Sequence, residues 1–129
     1  MTETVTPIPT AGTEPLQGVL HDLHAHSKDI QVSMVVTQDG LTMVSYGGTV
    51  DAEKFGAMCA DLLALCRASA VQLQRGDVEQ VIIRGTDGLI LLTPAGPLAV
   101  LAVMARVDSN LGLLFLETER AAGAIPAAL

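Results

Sequence analysis

The stretch Asp51–Gln74, DAEKFGAMCADLLALCRASAVQLQ, has the longest uninterrupted helical pattern in the chain. Its larger apolar residues recur at steps of three and four, which places them on one face of a helix: Phe55, Met58, Cys59, Leu62, Leu63, Leu65, Cys66, Ala70 and Leu73. An ordinary outer face would be dense in charge, but here small residues follow at steps of four: Gly56, Ala60, Ala64 and Ala68. The stretch therefore predicts a helix that is covered on both sides, by its own sheet and by something outside the monomer.

Shorter patterns on either side of this helix predict the remaining elements. The first helix begins near Thr13 and buries four residues spaced as on one helix face: Leu16, Val19, Leu20 and Leu23. Alternating or continuous apolar runs bounded by turn residues predict five strands: Ile30–Thr37, Leu41–Tyr46, Val78–Arg84, Leu89–Thr93 and Leu98–Ala105. The last helix is expected from about Ser109 to Ala122, capped by Asp108 or Ser109 and closed by Gly123 and Pro126.

These elements predict an α+β domain with the order α-β-β-α-β-β-β-α. The turns between consecutive strands are short, so the five strands form one antiparallel sheet. We expect the long central helix on one face and the two terminal helices on the other. The more polar strand Val78–Arg84 is expected at an edge. Residues 1–12, rich in Thr and Pro, are predicted to be a flexible tail, and residues 13–129 to be the domain.

Composition narrows the classes of function. The net charge is −7, and aromatic residues make up only 2 % of the chain, so we expect no binding to nucleic acid or to an anionic membrane surface. Charged residues make up 16 %, below the usual quarter. That low fraction favours a surface covered by another chain, and a genomic bias towards Ala and Leu is the alternative explanation.

The location expected from the sequence is the cytoplasm. The N-terminus lacks the apolar core of a signal peptide. The uncharged stretch Gly88–Ala105 is interrupted by Pro94, Gly96 and Pro97, so it predicts two buried strands around a turn, and no membrane insertion. Cys59 and Cys66 lie two helical turns apart, about 10 Å, too far for a disulfide, which favours reduced thiols.

Three sets of residues are candidates for chemical sites. His21, His24 and His26 have metal-like spacing, but His26 leaves the face shared by the other two, so solvated helix-end residues are the favoured interpretation and no metal is predicted. Cys59 and Cys66 have no neighbouring base and are interpreted as core residues. The turn Gly85–Gly88 lacks the lysine pattern of a phosphate-binding loop. No catalytic residue and no cofactor are predicted.

Five short motifs, in order and spacing, carry a resemblance over about residues 14–125. They are Val35-Val36-Thr37-Gln38-Asp39-Gly40-Leu41, Val78-Glu79-Gln80-Val81-Ile82-Ile83, Gly88-Leu89-Ile90-Leu91-Leu92, Ala99-Val100-Leu101-Ala102-Val103 and Ser109-Asn110-Leu111-Gly112-Leu113. They resemble, in turn, the first hairpin, the third, fourth and fifth strands and the start of the last helix of the roadblock family, the dynein light chain type found in bacteria and archaea.

The resemblance implies a fold, a mode of assembly and a class of partner. Roadblock proteins are not enzymes by themselves. They dimerise by joining their third strands edge to edge into a ten-stranded sheet, with the central helices side by side. The dimers are platforms for small Ras-like GTPases, and the bacterial gliding-motility relatives bind one on the two-helix face and stimulate GTP hydrolysis. Other relatives assemble exchange-factor complexes or dynein.

Residue positions, together with the resemblance, define two candidate surfaces. The predicted dimer interface is Val78, Gln80, Ile82 and Arg84 of the edge strand with Gly56, Ala60, Ala64 and Ala68 of the central helix. The predicted GTPase contacts, chosen by position on the exposed helix face, are Lys54, Ala57, Asp61, Ala64, Arg67 and Ala68. Arg67 is also a candidate arginine finger, and a solvated arginine is the favoured interpretation.

From the residue pattern and the resemblance, we expect a homodimer whose function is to bind a Ras-like GTPase and change its nucleotide hydrolysis or exchange. A scaffold without effect on nucleotide turnover is the alternative, and a heterodimer with a paralogue stays open. A small-ligand sensor is a third hypothesis from another class. The few polar residues predicted to point inward do not favour it.

Overall fold

The computed structural model describes residues 13–48 and 50–129. The element order and the α+β class predicted from the sequence are confirmed. The elements are α1 (Glu14–His26), β1 (Ile30–Thr37), β2 (Thr42–Tyr46), α2 (Ala52–Gln72), β3 (Val81–Arg84), β4 (Leu89–Ala95), β5 (Ala99–Ala105) and α3 (Leu111–Ala128). The tail predicted for residues 1–12 lies outside the described residues.

The five strands form one antiparallel sheet with the order β2-β1-β5-β4-β3. The hydrophobic strand β5 is at the centre, where both its faces are covered, and its residues are almost all buried. The predicted edge position of β3 is confirmed. β4 continues through Pro94 to Ala95, and β5 begins at Ala99, one residue later than the sequence predicted.

Helices cover the two faces of the sheet unequally. One apolar cluster joins α1 and α3 to one face, with Leu20, Leu101 and Leu114 fully buried at its centre. The other joins α2 to the opposite face through Met34, Leu63 and Leu92. The predicted distribution of the helices, one against two, is therefore confirmed. α2 contacts β1, β2 and β5 and reaches β3 and β4 little, so that part of the sheet face is left open.

The N-terminal cap predicted for α2 is confirmed, whereas the cap and the end predicted for α3 are wrong. Asp51 caps α2 as predicted, accepting a hydrogen bond from the Lys54 N–H at 3.2 Å. The predicted cap of α3 by Asp108 or Ser109 is wrong: Asn110 does this, accepting from the Leu113 N–H at 3.1 Å. α3 also continues past Gly123 to Ala128, because Ile125 is fully buried against the sheet and stabilises the last turns.

The start of β3 differs from the prediction by three residues. The strand was expected from Val78, but its pairing with β4 begins at Val81, opposite Leu92. Continuing the same register would place Glu79 opposite Pro94, which has no N–H to donate. Val78 and Gln80, named from the sequence as edge-strand interface residues, therefore precede the paired strand.

The backbone of α2 approaches the sheet closely at Gly56. A Cβ on this residue would lie 2.2 Å from Oγ1 of Thr42 and 3.5 Å from Cγ1 of Val36. The same Thr42 hydroxyl donates to the carbonyl of Ala52 at 2.7 Å, so it is held in place by the first turn of α2. A residue without a side chain is required where the helix crosses β2.

Substitution of Gly56 by alanine tests this contact. Gly56→Ala should lower the free energy of unfolding by about 1–2 kcal/mol, because the new methyl group displaces the Thr42 hydroxyl from its hydrogen bond. The matched control is Gly18→Ala in α1, where a Cβ would meet no atom within 4 Å. That control should gain up to about 1 kcal/mol from helix propensity. Urea unfolding measures both, and equal gains in the two variants would contradict the close contact.

Candidate functional site

The face of α2 that packs on the sheet is rotated relative to the prediction. Its buried residues are Gly56, Cys59, Ala60 and Leu63. The prediction that Gly56 and Ala60 lie on the uncovered face is therefore wrong, and the physical reason is that small residues let the helix approach the sheet closely. The expectation that Leu73 packs on the sheet is also wrong, since it is 67 % exposed.

One flank of α2 faces the open part of the sheet. Phe55 and Leu62 join the apolar cluster that also takes in Val81 of β3. Met58 and Leu65 lie four residues before and three residues after Leu62, so they share its flank. Their side chains are 59 % and 65 % exposed. The sequence pattern had assigned both to the covered face, yet these large apolar groups meet solvent in the monomer.

The opposite flank of α2 contacts the β1–β2 turn. Gly40, with φ +98°, lies against Ala57, and a Cβ there would be 3.3 Å from the Ala57 Cα. Further along, the Arg67 guanidinium donates a hydrogen bond to Oε1 of Gln38. The Gln38 N–H in turn donates to the Leu98 carbonyl at 3.3 Å. Arg67 is thus neither free nor solvated as the sequence suggested; it joins α2 to two turns of the sheet.

Between the two flanks lies the outermost surface of α2. Five of the six residues named from the sequence as partner contacts are exposed there: Lys54, Ala57, Asp61, Ala64 and Ala68. The structure brings them together on one continuous strip, and the sixth, Arg67, is half-buried at its margin. We call these five residues the α2 strip. Three of the five residues are alanines, and Lys54 and Asp61 supply one charge of each sign. The surface therefore has few protruding side chains and no net charge.

The edge strand β3 continues the exposed apolar surface. Ile82 and Ile83 are 47 % and 39 % exposed. Among the described residues, β3 makes its main contacts with β4 alone, so the outer side of its backbone is unpaired. Val81 and Ile83 point to the α2 face of the sheet, because they pair with Leu92 and Ile90. Together with Met58 and Leu65 they form what we call the edge surface.

The two cysteines do not form a reactive site. Cys59 is buried, as predicted, and burial raises the pKa of its thiol to about 11. At neutral pH the group is therefore protonated and a poor nucleophile. Cys66 is half-buried, and both thiols are free.

His24 departs from its predicted role as a solvated residue. Its ring packs 4.5 Å from the ring of Tyr46, and Nε2 lies 2.8 Å from Oγ of the fully buried Ser33. Burial, followed by the charges of His21 and Lys28, lowers the pKa of His24 from 6.5 to about 4. The neutral imidazole therefore belongs to the contact of α1 with β1 and β2.

No metal site is found in the described part of the chain, and a pocket between α1 and α3 is small. No group of three or more His, Cys, Asp or Glu side chains is placed to hold a metal ion in residues 13–48 and 50–129. A pocket of about 110 Å³ lies between α1 and α3, where Glu117 pairs with Arg120 at 3.1 Å. Its volume is well below the several hundred Å³ of a typical small-molecule site.

Comparison with known proteins places this geometry in a family. The family model described as "Roadblock/LC7 domain" matches residues 16–105. The chain belongs to the Roadblock/LC7 family. The uncharacterized protein MJ0310 of Methanocaldococcus jannaschii is 37 % identical over 102 residues, covering 78 % of this chain and 89 % of that protein.

Solved structures share the fold of this Roadblock/LC7 protein at low sequence identity. The gliding protein MglB of Thermus thermophilus superposes with a TM-score of 0.84 at 17 % identity, covering 98 % of this chain and 97 % of that one. A Roadblock/LC7 domain from Streptomyces avermitilis gives 0.80 at 22 % identity, covering 85 % and 93 %. At these identities the likeness concerns the fold.

The fold also explains the apolar character of α2. Among the described helices, Ala52–Gln72 alone is long and apolar enough to cross a membrane. In this structure α2 packs on one face of the sheet, with Leu63 fully buried against it. Its remaining apolar surface is the part that the monomer leaves uncovered.

The environment of His24 generates a prediction about pH. Because the pKa is lower in the folded chain, the unfolded chain binds more protons between pH 6.5 and pH 4. The stability that neutral His24 contributes is complete above pH 6.5 and is lost as the pH falls towards 4. Thermal unfolding of wild type and His24→Gln between pH 7.5 and 4.5 measures this. The wild type should lose more stability across that range, and parallel curves would contradict the assignment.

Proposed function

We propose that this chain forms a homodimer through its edge surface and, as a dimer, binds a small Ras-like GTPase on the α2 strip and alters its nucleotide hydrolysis or exchange. The proposal places the protein in the cytoplasm, where its two free thiols stay reduced. The observation that carries it is the pair of exposed residues Met58 and Leu65 beside an unpaired edge strand, in a chain of the Roadblock/LC7 family.

The cost of leaving the edge surface in water supports the dimer. Met58, Leu65 and Ile83 of the edge surface are exposed by 39–65 %, and Ile82, on the other face of the same strand, is exposed by 47 %. Burying a large apolar side chain gains roughly 1.5–3 kcal/mol. The unpaired backbone of β3 would gain a ladder of hydrogen bonds from a second strand. A second copy supplies both, since it has the same edge and the same helix flank.

The α2 strip supports a separate role in recognition. It adjoins the β1–β2 turn through Ala57 on one side, and on the other side Lys54 and Asp61 border the flank that carries Met58 and Leu65. A dimer that joins the edge surfaces would place two such strips on the same side of a continuous sheet. Two helices side by side, each with small and weakly charged exposed residues, make a binding surface of the kind that the family resemblance implies for Ras-like GTPases.

The mechanism we propose is differential binding. A surface that binds one nucleotide state of a GTPase more tightly shifts the population towards that state. Arg67 supports this mechanism over an arginine finger, because its guanidinium already donates to Gln38. Reaching a bound phosphate would first break that contact. The GTPase itself would then supply the catalytic groups.

Two variants separate dimerisation from recognition. Leu65→Glu places a charge on the edge surface. It should raise the dimer dissociation constant by about 30-fold or more, as expected for a central apolar contact. The matched control, Ala64→Glu, introduces the same charge one residue away on the α2 strip. It should leave the dimer intact and abolish GTPase binding. Sedimentation velocity and a pull-down with the GTPase measure the two effects.

A turnover assay tests the regulatory role itself. The small Ras-like GTPases encoded in the same genome are mixed with the wild-type protein, and GTP hydrolysis and nucleotide release are measured with and without it. A change in either rate is expected for the cognate GTPase, and Ala64→Glu should remove the change. Binding with unchanged turnover would support the scaffold instead. A wild-type protein that sediments as a monomer at micromolar concentration would overturn the dimer.

A further inference from the structure

The residues of β3 carry enough information to define how two copies would align. Resting on the proposed homodimer, we infer that the two β3 strands pair antiparallel with Ile82 on the two-fold axis, opposite Ile82 of the second copy. Val81 then lies opposite Ile83, and Gln80 opposite Arg84, each pair occurring twice.

The pleat of the sheet limits the alignments that are possible. Residues that face each other across an antiparallel pair point to the same side of the sheet. Val81 and Ile83 point to the α2 face, while Ile82 and Arg84 point to the face covered by α1 and α3. A residue therefore faces a partner that is an even number of positions away. The two-fold axis consequently passes midway between the two copies of one residue. It cannot pass at a point between two consecutive residues of the strand.

The three apolar residues of β3, Val81, Ile82 and Ile83, are the candidates for that central position. Centring on Ile83 would place Ile82 opposite Arg84 and Val81 opposite Gly85, so that apolar side chains lose their partners. Centring on Val81 would place Ile83 opposite Glu79 and Ile82 opposite Gln80, which sets apolar groups against polar ones. Centring on Ile82 alone matches apolar residues with apolar residues and a polar residue with a polar one.

The position of Gln80 supports the same alignment. Its side-chain amide donates to Oγ1 of Thr93 at 3.3 Å, so it stays in register with β4 although the backbone ladder begins at Val81. Gln80 therefore shares the sheet face of Ile82 and Arg84. Across the axis, the Arg84 guanidinium of one copy can donate to the Gln80 amide oxygen of the other. Two polar contacts would flank the central pair of isoleucines on that face.

The alignment also joins the apolar surfaces on the opposite face. Val81 and Ile83 from both copies form one apolar row beneath the α2 flanks. Met58 and Leu65 of each copy lie next to that row, which buries side chains that are more than half exposed in the monomer. A shift of two residues in either direction would uncover part of the row at one end.

Cysteine cross-linking tests the alignment in the full chain. Opposite residues of an antiparallel pair have Cα atoms about 4.5–5.5 Å apart, within the range of a disulfide. Residues displaced by two positions are about 8 Å apart, beyond that range. In a Cys66→Ser background, with Cys59 left in place because it is buried, Ile82→Cys should form a covalent dimer under mild oxidation. Val81→Cys and Ile83→Cys should each stay largely uncross-linked.

A mixture of two variants provides the positive control. Val81→Cys chains unfolded and refolded together with Ile83→Cys chains should cross-link with each other, because these positions face each other in the inferred alignment. Covalent dimer from Ile83→Cys alone or Val81→Cys alone, with little from Ile82→Cys, would overturn the inference while the homodimer stands. Cross-linking at none of the three positions, in a chain that sediments as a dimer, would also overturn it. A monomeric wild type would instead remove the proposed dimer on which it rests.

Discussion

The width of a helix relative to a five-stranded sheet governs this structure. Five strands at a spacing of about 4.8 Å span roughly 19 Å, whereas one helix with its side chains is about 10 Å wide. Two helices, α1 and α3, are enough to cover one face. On the other face α2 lies over β1, β2 and β5 and its cluster reaches Leu92 of β4, and the edge strand β3 is left with an open side. The helices therefore cover one face of the sheet and leave the β3 side of the other face partly exposed.

That shortage explains why the charge-poor composition and the exposed apolar residues occur together. Met58, Leu65 and Ile83 lie at the boundary between the covered and the open half of the same face. Each is a residue type suited to a core, and each has its neighbours on only one side in the monomer. In the proposed homodimer the second copy would supply the missing neighbours of these residues.

The order and faces of the elements could be predicted from the sequence because they depend on local periodicity and short turns. The phase of α2 could not, since Gly56 and Ala60 have the same small side chains whether they face a partner chain or let the helix approach its own sheet. The start of β3 depends on Pro94, a residue of β4 without an N–H that would face Glu79 if the ladder continued, and this neighbour is distant in the chain. Likewise α3 continues past Gly123 because Ile125 gains tertiary contacts that helix propensity does not describe.

The hydrogen bond from Arg67 to Gln38 joins the helix that carries the proposed recognition surface to a turn of the sheet. Gln38 also donates to the β4–β5 turn and to the start of β5, from its backbone N–H to the Leu98 carbonyl and from its side-chain amide to the Ala99 carbonyl. A ligand that pulled Arg67 outward would therefore loosen two turns at one end of the sheet. A displacement of the Arg67 side chain on α2 would therefore be transmitted through Gln38 to the ends of the neighbouring strands.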